Sequence, residues 1–174
     1  MTVNARHLVG QTVFHSHKAE SGVVDGGSIM KLNEDGTVQK VTASGEVPYG
    51  LLGQNVVTTL PGMPEGYEFP GEIGLAEQRL GEPVLVYQDG GVFEVDKYQY
   101  VSATSGGMAA GDLLYAQVGG TAYDGLLVNT STPPSGAVAD NGDGSTAVPV
   151  AMVVTPLAHD DAVASKPVRL KLLI

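Results

Sequence analysis

Glycine and proline punctuate this chain so densely that long helices have little room. There are 24 Gly and 10 Pro in 174 residues. Each Pro removes a backbone donor, and each Gly loosens the φ restriction that keeps a helix regular. The segments between them are short and rich in Val, Leu and Thr, which suits strands joined by turns. The hydrophobic fraction of 43% is enough to build a core. The expected fold is all-β: a compact β-barrel or sandwich of about nine to ten short strands. One domain is expected over 21–174, preceded by an N-terminal arm at 1–20.

Two Asp-Gly turns anchor the reading. In GSIMKLNEDGTVQKVTA, a three-residue loop Glu34-Asp35-Gly36 sets Leu32 opposite Val38, with Gly36 in the left-handed position such a loop needs. In PVLVYQDGGVFEV, a two-residue Asp89-Gly90 turn would place Val84 opposite Val95 and Val86 opposite Phe93. Between them, PYGLLGQNVVTTL reads as one strand bent at Gly53. Residues 61–82 form a long Pro- and Gly-rich loop, with a helical turn expected over Leu75–Leu80. Further strands are expected at Asp112–Gln117, in TAYDGLLVN and in AVPVAMVVT. Residues 129–147 form a second long loop of turn-forming residues. The final KPVRLKLLI alternates Val168, Leu170 and Leu172 with Arg169 and Lys171, the period of a half-buried strand. The echo between EDGTVQKV and QDGGVFEV is explained by Asp-Gly turn chemistry without duplication.

Charge and composition narrow the function. Nine basic residues against 19 acidic give a net charge of −10. That argues against nucleic acid, which is bound by neutralising phosphates with Lys and Arg, and against an anionic membrane. No apolar run approaches the roughly 18–20 residues of a membrane span. The start, MTVNARHLVGQ, has no long apolar stretch, so synthesis in the cytoplasm is expected. With no Cys, disulfides, zinc-thiolate sites and Cys nucleophiles drop out.

The chemical candidates are few. His15-Ser16-His17 would put two imidazoles on one strand face, but no third ligand follows by spacing. Asp140-Asn141-Gly142-Asp143-Gly144 resembles a fragment of a calcium loop, but the twelfth position is Ala151 where a Glu is required. Asp160-Asp161 and Glu34-Asp35 read as solvated turn acids. Glu65, Glu68 and Glu72 accompany Tyr67 and Phe69 in the long loop, where interface contact is preferred to a sugar site. There is no nucleophile elbow, no P-loop and no dinucleotide fingerprint after a strand. No catalytic residue, metal site or cofactor is assigned, and an enzyme is not expected.

The order of short elements resembles the small β-barrel decoration (cement) proteins of tailed bacteriophages. The resemblance rests on Gly27-Ser28-Ile29-Met30, Asp35-Gly36, Pro48-Tyr49-Gly50-Leu51, Gly81-Glu82-Pro83-Val84-Leu85-Val86, Gly111-Asp112-Leu113-Leu114-Tyr115 and Val168-Arg169-Leu170-Lys171-Leu172. It covers roughly residues 25–174; the arm at 1–20 and the loop at 61–80 stand outside it. The resemblance implies a structural virion protein on the outer capsid surface that binds the major capsid protein. It also implies a homo-oligomer, with a trimer slightly favoured over a dimer. Contact residues are expected in the arm (Arg6, His7, Val9, Phe14, His15 and His17) and in the long loop (Tyr67 and Phe69). The alternatives are a tail, head-fibre or baseplate module, or a carbohydrate-binding β-domain using Tyr67, Phe69, Tyr98 and Tyr100.

Overall fold

The computed structural model describes residues 5–18, 25–53, 55–57, 77–79, 83–101, 106–120, 122–134, 136–140, 142 and 146–174. The protein is all-β, with one short helix among the described residues. The strands are β1 (Ala5–Lys18), β2 (Ile29–Leu32), β3 (Val38–Lys40), β4 (Gly50–Leu52), β5 (Asn55–Val57), β6 (Glu77–Arg79) and β7 (Pro83–Val95). They continue as β8 (Tyr98–Gln99), β9 (Leu113–Val118), β10 (Leu127–Val128), β11 (Ala137–Val138), β12 (Pro149–Val153) and β13 (Val168–Leu172), with α1 (His159–Val163) before β13. Eleven strands form one curled sheet along the path β3-β2-β4-β7-β13-β12-β9-β10-β8, with β1 on β7 and β11 on β9. β5 and β6 form a small parallel pair.

The first hairpin forms as expected. Leu32 is registered with Val38, and the Asn33 amide donates to the Thr37 carbonyl at 2.9 Å. Gly36 sits at φ +82°. The final strand alternates buried and exposed residues along Val168–Leu172. Two expectations change locally. The single strand expected through Gly53 is divided: β4 joins the main sheet, whereas β5 pairs with β6. Within the expected helical turn, Glu77–Arg79 is extended, because pairing with β5 satisfies its backbone.

The larger correction concerns Asp89-Gly90. The chain does not fold back there, and Val84 does not meet Val95. β7 runs on as one long strand whose partner β1 follows it from Lys18↔Pro83 to Ala5↔Val95. On the other side of β7, β4 pairs with its first half and β13 with its second. Each half therefore already has two neighbours and has no edge left for the other half. Asp89, Gly90 and Gly91 adopt φ of 43°, 71° and 71°, and here these left-handed residues corner the strand instead of reversing it. The Tyr87 and Phe93 rings lie 4.9 Å apart between centroids. In straight strand, six residues would separate them by about 20 Å.

Strand parity then distributes β7 between two cores. Val84 and Val86 pack with Met30, Val38, Leu52 and Val56. Phe93 and Val95 lie in the larger cluster with Ile29, Leu51, Leu114, Leu127, Leu170 and Leu172, and Tyr87 packs against it. Burying side chains of this size stabilises the fold by roughly 1.5–3 kcal/mol each. β4 comes close enough to share both clusters because Gly50 has no Cβ. One built there would lie 2.6 Å from both the Tyr87 carbonyl oxygen and Val86 Cγ1.

Candidate functional site

β1 is the element most suited to gripping a neighbour. One edge is paired with β7 along nearly its whole length. Among the described residues no strand pairs with its other edge. A long free edge presents a row of backbone donors and acceptors to any extended segment that reaches it. Six of the expected contact residues lie on this strand: Arg6, His7 and Val9 opposite Glu94, Phe93 and Val92, and Phe14, His15 and His17 opposite Tyr87, Val86 and Val84. Tyr67 and Phe69 lie outside the described residues. Among the described residues, no group of three or more His, Asp or Glu is placed to hold a metal.

The outward face of the sheet beside β1 carries a mixed apolar and basic band, which the sequence reading missed. Register lines up Leu113, Met152, Lys171 and Val92 across β9, β12, β13 and β7. Leu113 is 40% exposed, and Val154 and Leu173 are similarly open. The next row holds Arg169 and Glu94, with Arg169 Nε donating to Glu94 Oε2 at 3.3 Å. The alternation in Val168–Leu172 pointed Arg169 and Lys171 outward. Seeing Leu113 and Met152 beside them required the strand order.

A third feature lies at the β8 end of the sheet. A depression of about 380 Å³ opens between β8, the 122–126 turn and α1, lined by Tyr98, Gln99, Tyr100, Tyr123, Val163 and Ser165. Tyr98, expected to be exposed in the carbohydrate reading, is only 7% exposed. Its hydroxyl donates to the Lys166 carbonyl at 2.8 Å, tying the segment after α1 to the sheet. Burial, reinforced by the Asp161 carboxylate, pushes this phenol up to about 12. Tyr100 is half-buried and meets His159 edge-on, with ring centroids 5.8 Å apart. Tyr123, not among the aromatics named for the carbohydrate reading, is 43% exposed.

The acidic candidates have structural surroundings. Asp140 is buried and its Oδ1 accepts the Gly142 amide at 2.7 Å, an Asx turn; Asn141, Asp143 and Gly144 lie outside the described residues. Asp160 and Asp161 fall in the first turn of α1, and Asp161 pairs with Lys166 at 2.6 Å. Glu34 is exposed at the hairpin tip, and Asp35 accepts from the Thr37 amide and hydroxyl, which lowers its pKa. Glu46 accepts from the Thr42 and Ala43 amides at 2.6 and 2.9 Å and from Lys31. Burial alone would raise the Glu46 pKa, but Lys31 and the two amides outweigh it and lower it. No protein-family model matches the chain, and no curated protein matches it.

Proposed function

We propose that this chain is a structural virion protein that binds the outer surface of a mature phage capsid and cements neighbouring major capsid protein subunits. The observation that carries this reading is the outer edge of β1, a strand of 14 residues with one side paired among the described residues. An extended segment of a capsid subunit adds to that edge through main-chain hydrogen bonds. The outward band around Leu113, Met152 and Lys171 supplies side-chain contact beside it. Binding only the expanded shell stabilises that state by mass action, and repetition over a lattice adds avidity. The net charge of −10 keeps densely displayed copies from aggregating. Copies gather as a homo-oligomer, a trimer in preference to a dimer, at the capsid's symmetry axes.

The test is to mix the purified chain with expanded, undecorated shells of the parent virion and with unexpanded ones. Saturable binding to the expanded shell, with a raised shell melting temperature, is the expected result. Equal binding to both shells, or to neither, rejects the cement reading.

A further inference from the structure

A single strand added to β1 leaves the far side of the outward band open. Along the sheet it would lie five strand spacings from β9, roughly 24 Å. On that side Leu113, Val154 and Leu173 stay 39–42% exposed, and Met152 is half-buried beside them. Buried Val153 separates Met152 from Val154, and buried Leu172 separates Lys171 from Leu173, so alternation turns all of these away from the core. Three of the seven large apolar side chains exposed among the described residues thus gather on one face. Single exposed apolar residues need no explanation, but a gathered patch marks a contact surface. They keep this exposure in the folded single chain, so what covers them comes from outside it. The charge of the face runs against that of the chain. Arg169 is paired with Glu94, and Lys171 has no ion pair among the described residues. The face therefore holds a surplus positive charge on a chain of net −10. Two such faces laid together would set Lys171 and Arg169 of both copies against each other, which disfavours face-to-face pairing. The occupant that fits is apolar and acidic.

We propose that this face seats residues 58–76 of a second copy. That stretch, TTLPGMPEGYEFPGEIGLA, lies outside the described residues, between β5 and β6. It carries Glu65, Glu68 and Glu72 with no Lys or Arg, set among Met63, Tyr67, Phe69 and Ile73. Its carboxylates meet Lys171, and its apolar side chains cover Leu113, Val154 and Leu173. A loop of this length tied at both ends reaches at most about 30 Å from its anchors, against roughly 10 Å across β9, β12 and β13. The contact is heterologous, loop to face, so each copy holds one neighbour and is held by another, and closure makes a ring. This deepens the homo-oligomer of the proposed function and rests on it, whereas capsid attachment through β1 is independent of it.

The experiment measures the oligomeric state of the full chain, without shells, by sedimentation over a range of concentrations. The expected result is a concentration-dependent oligomer that added salt weakens. Lys171→Glu should weaken association about tenfold, and Glu65→Lys with Glu68→Lys should do the same. Combined in one chain, the reversals on face and loop should restore it. Val47→Glu, at an exposed position outside this face, should leave it unchanged. Lys171 is exposed, so the fold should hold, and unchanged urea midpoints check that. A chain that stays monomeric, association unmoved by Lys171→Glu or by the loop reversals, or reversals that fail to compensate when combined each overturns the proposal. Binding of the same variants to expanded shells is read separately. A monomer that still binds expanded shells removes this interface and leaves the cement reading standing.

Discussion

Replacing Tyr98 by Phe should change sign in its effect on stability as pH rises. The ring is buried and packs in the main core, so Tyr98→Phe keeps the packing and deletes one hydroxyl. The lost bond is the 2.8 Å donation to the Lys166 carbonyl. Lys166 is exposed, so water can reach the freed carbonyl, and the cost at neutral pH should be about 1 kcal/mol. The alkaline behaviour opposes this. The phenol titrates at about 12 in the fold against an ordinary 10.0, because burial and Asp161 disfavour the phenolate. A raised folded pKa means full stability below pH 10 and progressive loss as pH rises toward 12. By pH 11 that loss is about 1 kcal/mol, approaching roughly 2–3 kcal/mol above pH 12. Phe has no such titration, and the other tyrosines cancel between the two proteins. Wild type should therefore be the more stable at pH 7, and the two should be about equal near pH 11. Urea unfolding followed by far-UV circular dichroism at pH 7, 9, 10 and 11 measures the gap directly. A gap that stays constant through pH 11, or no gap at pH 7, would refute the assigned role of the hydroxyl.

Gly50→Ala forces a Cβ to within 2.6 Å of the Tyr87 carbonyl oxygen and Val86 Cγ1. It should cost about 2–3 kcal/mol in urea melts, whereas Gly45→Ala, with open space around it, should stay within about 0.5 kcal/mol. Glu46→Gln should destabilise by about 1–2 kcal/mol at pH 7. Because the Glu46 pKa is lowered in the fold, that gap should close as the wild-type carboxylate protonates below its ordinary range, and a gap of the same size at pH 3 counts against the charge assignment. Single Pro substitutions along β1 should fall into two alternating sets, one disrupting the β7 pairing seen by hydrogen exchange and one sparing the fold but abolishing capsid binding; a spared fold with intact binding at every position would remove the free edge from the mechanism. In this Cys-free chain, Ser16→Cys with Leu85→Cys should oxidise to a disulfide while Val84→Cys with Val95→Cys should not, and the opposite result on peptide mapping restores the hairpin.

How much of this was legible in the sequence depended on whether the deciding contact was local. The Glu34-Asp35-Gly36 loop closes on residues two or three positions away, so turn chemistry alone determined its register. The alternation of β13 records one buried face and needs no knowledge of its neighbours. Asp89-Gly90-Gly91 carries the same local signal as a hairpin. Its outcome is decided by β1, β4 and β13, which lie far off in sequence and occupy both edges of β7. The residues named as contacts at the N-terminal end share one strand, β1, because they form one contiguous basic and apolar stretch. Tyr123 and Val163 were not named as contacts, because the depression they line exists only once β8, the 122–126 turn and α1 have been brought together.

The cornered strand also says something about mechanical design. β7 places Val84 and Val86 in one core and Phe93 and Val95 in the other, and β1 follows it around the bend. A pull on β1 is therefore shared by both cores through its pairing with both halves of β7, and peeling it from one end has to break hydrogen bonds in sequence around a corner. A hairpin at the same place would have left β1 on only one of its arms, with one core bearing the load. The register shifts at His7/Val9, Val9/Thr12 and Thr12/Val13 show where β1 takes up the bend. Each shift leaves backbone groups less regularly paired. If a capsid segment adds to the outer edge of β1, it meets two regularly registered stretches, Ala5–His7 and Val13–Lys18, joined at this bend. An added strand has to bend with it or bind one stretch alone, so the bend sets the length of straight partner the edge can accept.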